Sequence, residues 1–475
     1  MAKSVILYNA HLVDSHVDSP GAIVVTDKKI SYVFLGDCTE EKMARRLAAT
    51  TLTERDFLEI PEFVNAHGLT LMPSFIDMHV HFRYPGQTQK EDLDTGLKAA
   101  VAGGFGTVVL MPNTNPVVST GEMAQRIIEE AESRNLATVF QTISITKDFE
   151  GTDTSELDNM HPSKIPMITE DGHDVESAAV MLEAMQKAGK HNVIVSCHCE
   201  DVSLAKAARP FRERALGFMK KYGIPADKYN APKEHVPSSI DFEIDGNLTA
   251  ANRLLALAED TATERNIEIA KTAGCHIHIA HCSTKTSIDA VRRAKAQIAD
   301  GTAPADFAIS VEVTPHHLSL SGSEAPFLRA LVNPPLRSEN DRRALINAIK
   351  DGTVDVISTD HAPHTAEDKA AGSPGFTGLE TAFAVCHTIL VEQEGIPLTK
   401  LSALMSDNPA QLLNLTSGRL AIGYEANFIL VDTKEKWIVD SNCFFSKGKA
   451  SPQNGAKLTG RVHATFFGGK KVFEL

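Results

Sequence analysis

The chain has 475 residues, 43% hydrophobic and 23% charged, enough for one large domain and a smaller one. Its formal net charge of −14, a pI near 5.8 and the lack of a basic cluster argue against a nucleic-acid partner. No run reaches the roughly 18 apolar residues of a membrane span, the start shows no signal-peptide pattern, and seven cysteines without C-x-x-C pairs fit a reducing cytoplasm.

Residues 4–13 and 22–34 read as strands, with a turn at Asp27-Lys28-Lys29. Residues 40–56 are charged and helix-prone, and a strand follows at 68–71. After residue 72 short apolar runs alternate with amphipathic stretches: 107–111 then 120–134, 165–168 then 175–189, and further runs at 193–195, 277–280, 308–311 and 354–357. That alternation predicts a closed parallel (β/α)8 TIM-like barrel. An open doubly wound sheet is disfavoured because no Gly-rich turn follows the first strand. Residues 203–262 read as an irregular insertion near the mouth, with a basic helical stretch at 205–221 and a loop at 229–237; lid, oligomer contact and plain surface elaboration all fit it. Short strands return from about residue 418. The two strand-rich ends are expected to pair into one small β-sandwich domain, built from residues 1–71 and 418–475 and flanking a barrel at 72–417.

Asp77-Met78-His79-Val80-His81 carries the chemistry. Two histidines two apart on an extended segment point to one side, and two imidazoles at a strand end can hold a divalent cation. Alone, the pair reads as ordinary strand-end histidines. Further candidates recur at later strand ends: Asp171, His198, His281 and Asp360. Barrel enzymes gather such groups around one mouth. Two ions need a bridging carboxylate, and Asp171 is placed there, with His79, His81 and Asp360 on one ion and His198 and His281 on the other. Asp171-Gly172 could also be a simple turn. Lys164, if carbamylated, is a rival bridge at the wrong end of its strand. Cys197 and Cys199 read as buried packing residues, His276 and His278 as core or network residues, His316 and His317 as supports to the ligands, and His361 as structural.

Several segments taken in order resemble the dihydroorotases of the amidohydrolase superfamily: residues 73–86 (PSFIDMHVHFRYPG), 102–107 (AGGFGT), 111–116 (MPNTNP), 333–337 (NPPLR), 359–364 (TDHAPH) and 378–382 (GLETA). Glu170-Asp171-Gly172 resembles the branch in which aspartate replaces the carbamylated lysine. The resemblance implies reversible cyclisation of N-carbamoyl-L-aspartate to L-dihydroorotate in de novo pyrimidine biosynthesis. It implies one or two Zn2+ ions, with Mn2+ or Co2+ as substitutes, and Asp360 as the group that takes and returns a proton. Arg83 and Asn113 would hold the substrate carboxylate, Asn333 and His364 would assist, and the backbone near Gly375 would meet the ring amide. A homo-oligomer is expected, and docking on aspartate transcarbamoylase is compatible with the resemblance. Tyr84, the segment 424–427 and the long stretch between His198 and His281 depart from the family pattern. The competing readings are an allantoinase or a dihydropyrimidinase (hydantoinase), whose substrates lack the ring carboxylate, and a non-catalytic scaffold, which would be expected to have lost ligands.

Overall fold

The computed structural model describes residues 4–49, 62–161, 165–224, 237–322 and 331–475. Both ends of the chain share one eight-stranded mixed sheet. Val5–Val13 pairs antiparallel with Asp18–Thr26, which pairs with Lys29–Leu35. Asp27 and Lys28 both take left-handed φ (57° and 65°), as a two-residue hairpin turn requires. The seam between the ends is the antiparallel pairing of Thr70–Pro73 with Phe428–Ile438, Pro73 opposite Phe428 and Thr70 opposite Val431. Glu62–Asn65, parallel to Val5–Val13, together with Lys457–Phe467 and Lys470–Glu474 completes the sheet.

Alternation gives this sheet two apolar faces. Leu7, Ile23, Phe428 and Phe466 form one cluster. Ile6, Tyr8 and Val24 form another with Met43 of the helix Glu40–Ala49. The register slips between Leu7 and Ala10, where Asn9 has φ 56°. This bulge shifts the parity, so Ala10 and Leu12 stay on the face of Leu7, while Val13 joins the barrel core beside Met72, Ile429 and Val431.

The barrel closes in chain order. Phe75–Val80, Phe105–Leu110 and Thr138–Gln141 form one parallel sheet; Met167–Thr169, Ile194–Cys197, His276–Ile279, Ala308–Val313 and Val356–Ile357 form another. Isolated parallel bridges, Ile143 with Ile168 and Val80 with His361, join the two into a ring of eight. Seven of these strands are legible as apolar runs; Thr138–Gln141 is not. The unit after it has two 3-10 turns, Lys147–Phe149 and Ser155–Asn159, in place of an α-helix.

The described residues of the stretch 203–262, which are 203–224 and 237–262, are regular, against the expectation. Helices Val202–Lys221 and Ser238–Ala273 form an antiparallel pair. Ala208 packs with Ala251 and Leu255, and Ala215 and Met219 pack with Ile244 and Leu248. Most of the loop expected at 229–237 lies outside the described residues. The pair leans on the barrel mouth. Leu216 packs against Leu331, Val332 and Phe376, and the Arg337–Glu259 ion pair (3.0 Å) ties the long helix to the loop before Glu339–Asp351.

Candidate metal centre at the barrel mouth

Each proposed ligand sits where a barrel strand ends, and the chain bends sharply there. Arg83, Cys199, His281 and Asp360 all have left-handed φ (57°, 58°, 28° and 49°), a conformation that costs a residue with a Cβ about 1–2 kcal/mol. Such turns swing side chains off the strands and into the mouth.

Asp171 lies at the centre. Its Oδ1 is 3.3 Å from His79 Nε2 and 3.8 Å from His281 Nε2, and its Oδ2 is 3.6 Å from His81 Nε2. Asp360 Oδ1 is 3.1 Å from His81 Nε2 and 3.7 Å from His79 Nε2. The His198 and His281 rings meet edge to face with centroids 4.8 Å apart. Two ligand-competent trios result, His79–His81–Asp171 and Asp171–His198–His281, each with its donor atoms within 4.8 Å of one another. Asp171 is common to both. The structure thus gathers all six residues expected to cluster. Lys164 lies outside the described residues.

The outer nitrogens are fixed by other side chains. His79 Nδ1 meets Glu312 Oε1 at 2.8 Å, His81 Nδ1 meets Asn113 Oδ1 at 2.9 Å, and His198 Nδ1 meets Asp174 Oδ2 at 2.7 Å. These partners select the tautomer and leave Nε2 facing inward. His79 Nε2 is buried without a hydrogen-bond partner while two carboxylates converge on it. Imidazole lone pairs facing carboxylates at this range need a proton or a cation between them, and nitrogen with oxygen donors suits a divalent ion. The residues therefore fit a metal.

Electrostatics agree. Burial opposes the Asp171 charge, but His79 and its neighbours hold this carboxyl well below the usual range. Burial likewise opposes ionisation of Asp360, and His81 and His79 outweigh it, bringing its pKa to about 2. For His198 burial disfavours the charged ring, yet Asp174 raises it to about 10. His81 goes the other way, lowered by burial despite Asp360.

The residues expected at the substrate divide into two groups. Arg83 and His364 stand together, Nη2 to Nε2 3.2 Å, with Arg83 Nε donating to Pro363 O; burial brings the guanidinium down to about 10. Asn113 is engaged within the ligand set, donating to Asp171 Oδ2 at 3.0 Å. Asn333 donates to Glu200 Oε2 at 2.9 Å and lies 3.4 Å from His198 Nε2. At Gly375 the N–H donates to Leu331 O and the carbonyl accepts from Lys369 Nζ. A Cβ there (φ 137°) would fall 2.7 Å from Ala362 O and 3.1 Å from the His364 ring, so only glycine fits. Beside His364 a cavity of about 720 Å3 opens, edged by Lys220, Lys369, Lys447 and Lys449, with no carboxylate among its described lining residues.

Two other mouth histidines have structural partners, while His316 Nε2 is buried with no hydrogen-bond partner. His317 is held by Thr314 Oγ1 and Pro334 O, and His361 accepts from Gly378 N and sits 3.4 Å from the buried Glu91. Cys197 and Cys199 are buried, as expected. Glu312, Asp174 and Glu91 escaped the sequence reading. So did the loop 439–456 of the end sheet, which lies over the mouth through Thr377 N to Ala450 O and the Glu91–Ser446 hydrogen bond. An acid inside the apolar strand Ala308–Val313 was the one available signal for Glu312.

A closed parallel barrel whose mouth gathers imidazoles and carboxylates around one buried aspartate defines the class of metal-dependent barrel hydrolases. The sequence profile of the amidohydrolase family matches residues 70–472. A dihydroorotase of Clostridium botulinum is 35% identical over 466 residues, 98% of each chain; one of Bacillus subtilis is 34% identical, covering 90% of this chain and 92% of its own. Among solved structures, an L-hydantoinase (dihydropyrimidinase) from Arthrobacter aurescens superposes with a TM-score of 0.79 over 100% of this chain and 96% of its own, at 22% identity. A dihydropyrimidinase from Brevibacillus agri gives 0.74 over 99% and 95% at 17% identity; these two likenesses establish the fold. The chain belongs to the amidohydrolase family, and within it to the dihydroorotases.

Proposed function

We propose that this protein interconverts L-dihydroorotate and N-carbamoyl-L-aspartate, a step of de novo pyrimidine synthesis. The observation that carries the reading is the convergence of His79, His81, His198, His281 and Asp360 on Asp171, beside the paired Arg83 and His364. His79, His81 and Asp360 would hold one divalent cation and His198 and His281 a second, with Asp171 shared; zinc suits this donor set, with manganese or cobalt as substitutes. When bound, such ions polarise a carbonyl and make water acidic near neutral pH.

The chain's own groups do the rest. Hydrolysis adds water across the ring amide: the C–N bond breaks, oxygen goes to the carbonyl carbon and a proton goes to the leaving ureido nitrogen. Asp360 is ionised and its Oδ1 faces His79 and His81, so Oδ2 takes the proton from water and hands it to that nitrogen. Arg83 binds the ring carboxylate, and the lysine-edged cavity suits an anionic substrate. Ring closure runs these transfers in reverse. Asn113, through its bonds to His81 and Asp171, orients ligands as well as lining the substrate side.

Domain limits at 71/72 and 417/418, a homo-oligomer, docking on aspartate transcarbamoylase and a cytoplasmic setting for the seven free thiols complete the proposal. Among the described residues no helix is long and apolar enough to cross a membrane. The decisive experiment pairs metal quantification with assays of dihydroorotate, dihydrouracil, hydantoin and allantoin on one sample. Turnover of dihydroorotate above the others is expected, and a pure zinc-loaded preparation inert towards it would overturn the reading. Arg83→Met should raise KM for dihydroorotate about tenfold or more, about 1.4 kcal/mol per decade, and light scattering with and without the transcarbamoylase reads the assembly.

A further inference from the structure

Among the described residues outside the ligand set itself, Glu312 is a carboxylate that touches both halves of that set. It lies in the strand Ala308–Val313, fully buried. Its Oε1 meets His79 Nδ1 at 2.8 Å and accepts from the backbone N–H of His281 at 3.1 Å. Its backbone carbonyl takes the next N–H, of Cys282, at 2.9 Å. Its Oε2 faces His278 Nε2 at 3.2 Å, and His278 Nδ1 meets Ser310 Oγ at 2.8 Å. His281 has φ 28°, left-handed and strained for a histidine, and persists there only because its surroundings fix it.

We propose that Glu312 is the positioning residue of the centre: one carboxylate sets the His79 tautomer with Nε2 inward and pins the turn that presents His281, so that the two trios keep their spacing around Asp171. His278 and Ser310 form the platform that holds the carboxylate in place. An acidic group buried among apolar strand residues is costly unless it is paired; Oε1 has two hydrogen-bond partners, while Oε2 lies against His278 without a hydrogen bond. Here its partners are the two histidines that the site must orient.

The inference rests on the metal-binding reading given above, yet its failure is separable from the failure of the proposed reaction. The test uses the full-length protein and zinc alone. Glu312→Gln keeps the shape and one acceptor but loses the charge; competition against a chromophoric chelator should show zinc affinity lower by about 10–100-fold, with the circular dichroism of the wild type. Wild-type zinc affinity and stoichiometry in that variant would overturn the proposal, whatever the dihydroorotate assay gives. If Glu312→Gln does not fold, a crystal of the zinc-loaded wild type decides. Zinc bonded to His79 Nε2 with Nδ1 against Glu312 is expected; zinc bonded to His79 Nδ1, or to Glu312 itself, refutes the assignment.

Discussion

The mouth of the barrel and the end sheet are built on opposite principles. In the sheet, alternation delivers Leu7, Ile23, Phe428 and Phe466 to one face, and the core is apolar. At the mouth, His79, His81, Asp171 and Asp360 are nearly as buried as those residues, yet all are ionisable, and Asp360 sits on left-handed backbone. The sheet gains stability by removing apolar area from water. The mouth gives stability up to hold ionisable groups at fixed distances. Mutations should therefore separate cleanly, with loss of activity without unfolding in one region and the reverse in the other.

The sharpest break of that contrast would come at Asp360. Asp360→Asn should lower kcat by about 10^2–10^4-fold while the chain still folds, with a modest fall of the thermal midpoint because His81 and His79 stabilise the ionised carboxyl. Near-wild-type turnover would take the proton-transfer role away from this residue. The mirror experiment is Phe428→Ala. Phe428 is fully buried and stacks on Phe466 with centroids 4.7 Å apart. Its truncation should cost about 3–5 kcal/mol in chemical denaturation and leave kcat of the folded fraction unchanged. A drop in kcat would show that the sheet is coupled to the mouth, for which the loop 439–456 offers the route.

A subtler test uses pH. In the ion-free chain His198 titrates near 10 against an ordinary value near 6.5, because Asp174 outweighs burial. Its contribution to stability is thus complete below about pH 6.5 and is lost as pH rises through about 10. A cation must displace that proton, so zinc affinity should climb over the same window. Asp174→Asn should flatten both curves; unchanged curves would assign the behaviour to other groups.

How far the sequence reaches follows from the same contrast. Barrel strands buried on both faces are continuous apolar runs, and seven of them are legible. Thr138–Gln141 is four residues with polar ends, and the Gln141 amide spends its hydrogen bonds on Leu110 O and Thr142 O; no periodicity marks it. The helix Ser238–Ala273 is hidden because its buried face includes Asn247, Glu259, Thr263 and Asn266 and turns from the partner helix to the barrel along its length. The ligands are legible because strand ends are. Glu312 is not, because its role appears only when residues 233 positions apart in sequence are brought within 2.8 Å. Asp174 and Glu91 were missed for the same reason.

The smallest effect tests the strained backbone itself. The mouth uses left-handed Arg83, His281 and Asp360, side chains chosen for their chemistry. The sheet uses left-handed Asn9, chosen because asparagine tolerates that conformation, with its Nδ2 bonded to Asn65 Oδ1 at 3.1 Å. Asn9→Ala should cost about 1 kcal/mol and Asn9→Gly much less, with kcat untouched in both. The left-handed turn at Asn9 sets which face Ala10 and Leu12 occupy, so a larger loss in the alanine variant would mean that the bulge had slipped and reversed that segment's alternation.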